Sequence, residues 1–145
     1  MEALRLVPEP ADYELLLEAA AELGARHLNA ICEDPDLKRL SDHFAELVRR
    51  AEPYGVRPVI EFMAYRSVRA LADAVAIAGR SGGGGILIDA LHTWRCAADL
   101  GQLAAVPGAI PVAVEAPHHE GRLGPGEFAA RARQALDLVL SNEQP

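Results

Sequence analysis

The chain has 145 residues, of which 50% are hydrophobic and 24% are charged, enough to build the packed core of a globular domain. Its formal net charge is −7 and its Lys and Arg residues are not clustered, which argues against a nucleic-acid partner. No apolar run approaches the ~20 residues of a membrane-spanning helix, no signal-peptide pattern opens the sequence, and two distant cysteines give no disulfide framework. We therefore expect a cytoplasmic protein that does not contact membranes.

Short apolar runs alternate with amphipathic stretches along the whole chain. Periods of about two residues indicate strands, and periods of about 3.6 residues indicate helices. In chain order the pattern predicts a strand at 3–7, a helix at 13–23, a strand at 27–32, a helix at 36–52, a strand at 57–62, a helix at 67–79, a strand at 86–91, a helix at 96–103, a strand at 110–116 and a helix at 127–140.

Residues typical of helix ends support these boundaries. Asp12, Asp36 and Ser67 are plausible N-caps, because their side-chain oxygens can accept from the first free backbone N–H groups. Gly24 and Gly55 follow two of the predicted helices, where a left-handed residue commonly ends the helix. Four glycines at 82–85 precede a strand instead of a helix, so they predict a flexible loop and not a phosphate cradle.

Five strand-helix units in succession predict an α/β fold with a parallel sheet and right-handed crossovers. The strands are apolar nearly throughout, as expected for strands covered on both faces. No linker interrupts the pattern, so residues 1–145 are predicted to form one domain.

Three of the apolar runs carry a carboxylate at or near their end, namely Glu61, Asp89 and Glu115. A buried carboxylate is costly unless it is paired or binds a cation. Because parallel strands carry their sites at their carboxyl ends, we expect the three acids to converge on one polar site.

These acids lie in segments with a recognisable pattern. Glu61-Phe62-Met63 and Asp89-Ala90-Leu91-His92, together with residues 23–27 and 51–56, resemble the sugar phosphate isomerase/epimerase family. That family has the xylose-isomerase-like TIM barrel, and the resemblance extends over residues 3–140. It implies a divalent metal at the carboxyl-terminal face of the barrel.

The resemblance also implies roles for individual residues. Glu61 matches the family's glutamate on the fifth strand, Asp89 its aspartate on the sixth strand, and Glu115 its glutamate on the eighth. Together they would hold Mg²⁺ or Mn²⁺, or Zn²⁺ or Co²⁺ if a histidine joins. Glu61 and Glu115 would move the proton during isomerisation or epimerisation of a small sugar-like polyhydroxy carbonyl compound through an enediolate. The resemblance also allows a dehydratase that works through the same enolate chemistry.

Two departures from the family pattern affect these expectations. The seventh-strand histidine has no clear counterpart, so His118 or His119 are alternatives, and the fifth strand here could match the family's seventh or eighth. The chain also has five units where a complete barrel has eight and ~250 residues. We therefore expect a partial, truncated TIM-barrel-like sheet whose open edges favour a two-fold homodimer.

Several further residues admit two interpretations. His92, Trp94 and Tyr65 are candidates to line the site or stack on a sugar ring, or else they pack at its rim. Cys32 ends a strand on the side of the acids, as a nucleophile or as a buried thiol. The alternative for the whole protein is a non-catalytic binding or assembly protein, in which arginines such as Arg66, Arg69 or Arg95 neutralise the three acids.

Overall fold

The computed structural model describes residues 4–9, 12–99 and 112–113, which belong to the unit Met1–Ala113. The predicted α/β order is confirmed over this part of the chain. It consists of β1 (Leu4–Leu6), α1 (Glu14–Glu22), β2 (His27–Cys32), α2 (Leu37–Ala51), a 3₁₀ turn (Glu52–Tyr54), β3 (Arg57–Glu61), α3 (Leu71–Arg80), β4 (Gly85–Asp89), α4 (Ala90–Arg95) and β5 (Val112–Ala113).

The five strands form one sheet in the order β1-β2-β3-β4-β5, and every neighbouring pair is parallel. Each strand therefore pairs with the next one along the chain, as in a barrel. No helix in the part of the chain that the structure describes is long and apolar enough to cross a membrane.

One face of the sheet is packed against α1, α2 and α3. Successive strand side chains point to opposite faces, and the set that meets the helices is apolar and buried: Leu28, Ala30, Cys32, Ile60, Ile86 and Ile88. The opposite face carries Asn29, Ile31, Glu61 and Leu87, and β2 alternates between buried and half-buried positions along its length. The expectation that all strands are covered on both faces is therefore wrong for β2.

The structure confirms the residues that were predicted to begin α2 and to end α1. Asp36 caps α2, because its Oδ1 accepts from the N–H groups of Lys38 at 3.0 Å and Arg39 at 3.1 Å. Gly24 follows α1 with φ of 67°, a left-handed conformation in which a side chain would be strained.

Ser67 does not cap the third helix, which begins at Leu71. The backbone before it is held in a loop instead: the N–H of Met63 donates to the Val68 carbonyl at 2.9 Å, and the N–H of Ser67 donates to the Cys32 carbonyl at 3.1 Å. The first bond closes the loop on itself, and the long-range bond from Ser67 ties it to the end of β2, which the local sequence could not reveal.

The fourth strand ends two residues earlier than predicted, and a helix begins at once. Asp89 caps α4, since its Oδ1 accepts from the N–H of His92 at 2.8 Å. The predicted helix at 96–103 is wrong in its start, because the helical residues are Ala90–Arg95. Val112–Ala113 falls within the predicted strand at 110–116; the rest of that strand and the predicted helix at 127–140 lie outside the described residues.

Candidate active site

Two of the predicted acids lie at the carboxyl edge of the sheet, on neighbouring strands. Glu61 is the last residue of β3 and Asp89 the last residue of β4, and they are 5% and 1% exposed. Burial of a carboxylate in an α/β core requires compensating partners. The surroundings of each acid therefore indicate what the site can do.

Glu61 is held by a residue from the adjacent strand. The register pairs Ile31 with Glu61, which places Asn29 two residues earlier on the same face. The Nδ2 of Asn29 donates to Oε2 of Glu61 at 2.7 Å. This bond orients the carboxylate, and its other oxygen, Oε1, lies 3.8 Å from Nε2 of His92.

Asp89 contributes to the same arrangement through the backbone of α4. Its side chain accepts from the N–H of His92, and its carbonyl accepts from Oγ1 of Thr93 at 2.7 Å. These bonds fix the first turn of α4 and with it the position of His92. One acid thus positions the histidine whose ring faces the other acid.

The imidazole of His92 is enclosed. The residue is 5% exposed, and its ring meets the edge of Tyr65 in a T-shaped contact with centroids 5.6 Å apart. Nδ1 of His92 and Oδ1 of Asn29 are buried, and neither has a hydrogen-bond partner among the residues that the structure describes. Unpaired buried polar atoms are rare, and two of them beside buried carboxylates are what a bound ligand or ion would complete.

The predicted site residues are thus only partly brought together. Glu61, Asp89, His92 and Tyr65 form a connected group at the carboxyl edge of the sheet. Trp94 lies on α4 with 79% of its surface exposed, and the described ring contact of His92 is with Tyr65 instead. Glu115, like His118 and His119, lies outside the described residues.

Carboxylates and imidazoles are ligands of hard or borderline divalent cations in proteins. Within residues 4–9, 12–99 and 112–113, however, no three His, Cys, Asp or Glu side chains are grouped so that they could hold a metal ion. The third predicted ligand, Glu115, belongs to the part of the chain that is not described.

Cys32 does not point toward the acids. Its side chain is fully buried on the face that packs against the helices, opposite to Glu61. Burial raises the pKa of its thiol to about 12, so the reactive thiolate is scarce near neutral pH. Of the two interpretations, the buried thiol is confirmed.

The sequence reading missed two contributors to this edge of the sheet. Asn29 is a polar residue between apolar neighbours inside β2, and the sequence showed this signal. Glu33, directly after β2, accepts from Nη1 of Arg66 at 2.6 Å and from Nη1 of Arg5 at 3.2 Å. The described ion pair of Arg66 is therefore with Glu33, while Nε of Arg69 donates to the Arg66 carbonyl at 3.1 Å.

Comparison with known proteins supports the fold. No protein-family model matches the chain, and no curated protein matches it. Among solved structures it is similar to a xylose isomerase-like TIM barrel/4-hydroxyphenylpyruvate dioxygenase fusion protein, with a TM-score of 0.66 and 14% identity over 98% of this chain. The chain spans 35% of the length of that protein. At this identity the similarity establishes a TIM-barrel-like fold of the xylose-isomerase type.

Proposed function

We propose that the protein is a metal-dependent isomerase or epimerase of a small sugar-like polyhydroxy carbonyl compound, related to the sugar phosphate isomerase/epimerase family. The observation that carries the proposal is the buried group of Glu61, Asp89 and His92 at the carboxyl ends of two neighbouring strands. In TIM barrels this edge is where active sites lie. The similarity to a TIM barrel independently supports this location for the proposed active site.

Glu61 and Asp89 would supply two oxygen ligands, with Glu115 as the predicted third. Mg²⁺ or Mn²⁺ suits such a set, and Zn²⁺ or Co²⁺ would suit it if His92 joined. A bound divalent ion would act as a Lewis acid on the substrate carbonyl and its neighbouring hydroxyl.

The chain's own residues would then handle the proton. Glu61 is the proposed base that takes the proton from the carbon next to the carbonyl, which leaves an enediolate. The bond from Asn29 to Oε2 would keep the Glu61 carboxylate in one orientation during this step. Glu115 is the proposed partner that returns the proton, and burial of Glu61 and His92 would limit access of water to the reacting carbons.

His92 and Tyr65 are the proposed substrate-contacting residues. Their rings are in a T-shaped contact, and Tyr65 is 60% exposed, so part of its ring is accessible to a bound molecule. Trp94 would contribute a second aromatic surface from α4 if a substrate bridges to it. A polyhydroxy compound suits such a mixture of ring faces and polar edges.

Metal binding is the direct test of the proposal. Mn²⁺ titration of the purified chain, followed by calorimetry, should show one site that Glu61→Gln weakens by about tenfold or more, because a charged ligand is lost. Glu52→Gln, which changes a glutamate at the opposite end of the sheet, should bind Mn²⁺ like the wild type. Equal Mn²⁺ affinity in wild type and Glu61→Gln would refute the assignment.

The non-catalytic alternative has a specific observation in its favour. Asp89 caps α4 and Glu61 bonds to Asn29, so both acids also have structural uses. A protein that binds no metal, turns over none of a panel of aldoses, ketoses and hydroxy-keto acids, and loses stability in Asp89→Ala would be a scaffold and not an enzyme.

We also propose that two copies associate as a two-fold dimer. Among the described strands, β1 is paired on one side only, and Ile31 and Leu87 on the face away from α1, α2 and α3 remain half-buried. Open edges and uncovered apolar side chains are satisfied by a second chain. Sedimentation at micromolar concentration should give the dimer mass, with burial above ~1,200 Å² in total; a stable monomer would contradict it.

A further inference from the structure

A row of side-chain contacts leads from the end of β2 to the candidate active site. Oε1 of Glu33 accepts from Nη1 of Arg66 at 2.6 Å, and the guanidinium of Arg66 lies over the Tyr65 ring, 5.6 Å from its centre. The Tyr65 ring meets the His92 imidazole, whose Nε2 lies 3.8 Å from Oε1 of Glu61. Glu33 and Arg66 are therefore connected through Tyr65 to the histidine that faces the proposed base.

The direction of the His92 ring is not fixed by hydrogen bonds of its own. Asp89 holds the backbone N–H of His92, but Nδ1 of the ring has no hydrogen-bond partner among the described residues. The 3.8 Å between Nε2 and the Glu61 carboxylate is longer than a hydrogen bond. Because the ring torsion of histidine has a broad energy profile, the contact with Tyr65 contributes to the direction in which the imidazole faces.

Tyr65 needs support to make this contact, since most of its side chain is exposed. Exposed side chains change rotamer on the picosecond to nanosecond timescale. A guanidinium within roughly 6 Å of the centre of an aromatic ring is attracted to the ring face. The guanidinium of Arg66 therefore favours the Tyr65 rotamer whose ring meets His92.

Glu33 fixes the Arg66 guanidinium in turn. Both side chains are partly buried, and Nε of Arg66 is buried without an acceptor among the residues that the structure describes. The short bond to Glu33 is thus the side-chain bond that holds this guanidinium. Arg5 donates to the same Glu33 oxygen at 3.2 Å, but in the described part of the chain it does not stack on Tyr65.

The backbone of the loop after β3 is held independently of these side chains. The N–H of Ser67 donates to the Cys32 carbonyl, the N–H of Met63 to the Val68 carbonyl, and the N–H of Arg66 to the Met63 carbonyl. Replacing the Arg66 side chain leaves all three bonds possible. We therefore expect such a variant to change the Tyr65 ring position without unfolding the loop.

From these observations we infer that Arg66 and Glu33 are positioning residues of the candidate active site. Glu33 fixes the Arg66 guanidinium, and Arg66 holds the Tyr65 ring. The ring in turn keeps the His92 imidazole facing Glu61. The inference rests on the proposed function for its effect on catalysis, whereas the contacts themselves can be measured without metal or substrate.

The contact between the two rings can be measured by NMR on the full chain. At a fixed pH, the wild type should show a nuclear Overhauser effect between ring protons of Tyr65 and His92. The His92 resonances are identified by their absence in His92→Gln. Arg66→Met keeps a long side chain but removes the charge, so the effect should lose most of its intensity. An undiminished effect in Arg66→Met would overturn the inference.

Arg5→Met is the matched control, since Arg5 shares the Glu33 oxygen without stacking on Tyr65. It should keep the ring contact. Equal losses in Arg5→Met and Arg66→Met would mean that Tyr65 responds to any charge change around Glu33, and would overturn the inference. Arg66→Lys should restore much of the contact, because it returns a cation to the ring face; a loss as large as in Arg66→Met would contradict the role of the cation.

Kinetics test whether Arg66 acts through Tyr65. On any substrate that the screen identifies, Arg66→Met should lower kcat by about 10- to 100-fold, the usual cost of misplacing a group in an active site. Adding Arg66→Met to Tyr65→Leu should cause no further loss, because the ring through which Arg66 acts is already absent. Losses that multiply in the double variant would overturn the inference.

The inference and the proposed function fail separately. An unchanged ring contact in Arg66→Met, with Mn²⁺ binding at Glu61 intact, would remove the positioning role and leave the proposed reaction. A ring contact that depends on Arg66, in a chain that binds no Mn²⁺ and turns over no substrate, would keep the arrangement of Glu33, Arg66, Tyr65 and His92 and remove the isomerase.

Discussion

The cavities at the two ends of the sheet are lined by the same types of charged residue, but these residues make different contacts. A cavity of about 620 Å³ at the carboxyl end has Arg5, Arg66, Arg69 and Glu33 in its lining. A cavity of about 510 Å³ at the amino end is lined by Arg49, Arg57, Arg80 and Glu52. The described lining of each cavity therefore includes three arginines and one glutamate, so neither this number nor the cavity volume distinguishes the two ends.

The difference lies in what the guanidinium groups bind. At the amino end, Arg57 donates from Nε and Nη2 to the carbonyls of Gly83 and Gly84, both at 3.1 Å, and Arg49 pairs with Glu46 on its own helix. These bonds fix the loop that leads into β4. At the carboxyl end Arg5 and Arg66 both donate to one oxygen of Glu33, and Arg69 donates to the Arg66 carbonyl. The described arginines Arg57 and Arg49 at the amino end therefore hold a loop and a helix, whereas Arg5 and Arg66 at the carboxyl end share one carboxylate.

The largest expected effect that separates the two ends is on catalysis. Glu61→Gln should lower kcat by about 10²–10⁴-fold on any substrate that the screen identifies, because it removes the proposed base. Glu52→Gln at the amino end should leave kcat within a factor of two or so of the wild type. Steady-state kinetics of both variants tests this difference, and a wild-type kcat in Glu61→Gln would contradict it.

Substitutions at the amino end should instead change the stability of the fold. A Cβ on Gly84 would come within 2.5 Å of Cε1 of Phe44 and 2.7 Å of Oγ of Ser81, and Phe44 is fully buried. Gly84→Ala should therefore lower the free energy of unfolding by about 1–3 kcal/mol through overpacking. Urea denaturation measures the change.

Gly79 provides the matched substitution, since it lies in α3 and a Cβ there would meet nothing within 4 Å. Gly79→Ala should stabilise the chain by about 0.5–1 kcal/mol, because alanine is the better helix former. The same sign for both substitutions would show that the close approach of Gly84 to Phe44 is not a constraint.

The last prediction concerns acid stability at the carboxyl end, on the face that carries the helices. Asp34 is fully buried and accepts two bonds of 2.6 Å from Arg39, which hold the pKa of its carboxyl below the ordinary value. The stability it contributes is therefore complete above its unfolded pKa of about 3.9 and is lost as pH falls through the lower folded pKa.

Thermal unfolding measured from pH 7 to pH 2 should give a higher Tm for the wild type than for Asp34→Asn at neutral pH. The two Tm values should converge in acid. Asp42→Asn, which changes an exposed aspartate of α2, should follow the wild type at every pH. A Tm difference between wild type and Asp34→Asn that does not change with pH would contradict the role assigned to the Asp34–Arg39 ion pair.

The sequence by itself determined the α/β order, the parallel sheet and two of the acids at its carboxyl edge. These follow from local rules: apolar periodicity, helix caps such as Asp36, and the cost of a carboxylate at the end of a buried strand. It was wrong to place Ser67 as a helix cap, because the partner of its N–H is distant in the chain. It also started the helix after β4 too late, because the local capping bond of Asp89 was not predicted. The N–H of Ser67 goes to Cys32 at the end of β2, and Asp89 turns the chain into a helix at once.

Only the tertiary structure decided how these residues combine. Strand register brought Asn29 to Glu61, and the loop after β3 brought Arg66 to Glu33 and Tyr65 to His92, contacts between residues 27 to 33 positions apart. Such pairs leave no periodic trace in the sequence, because their spacing is set by the lengths of the crossovers between strands. The cavity at the carboxyl end could not be predicted for the same reason. Its arginines come from β1 and from the loop after β3, and only the parallel order of the sheet brings Arg5 and Arg66 to one glutamate.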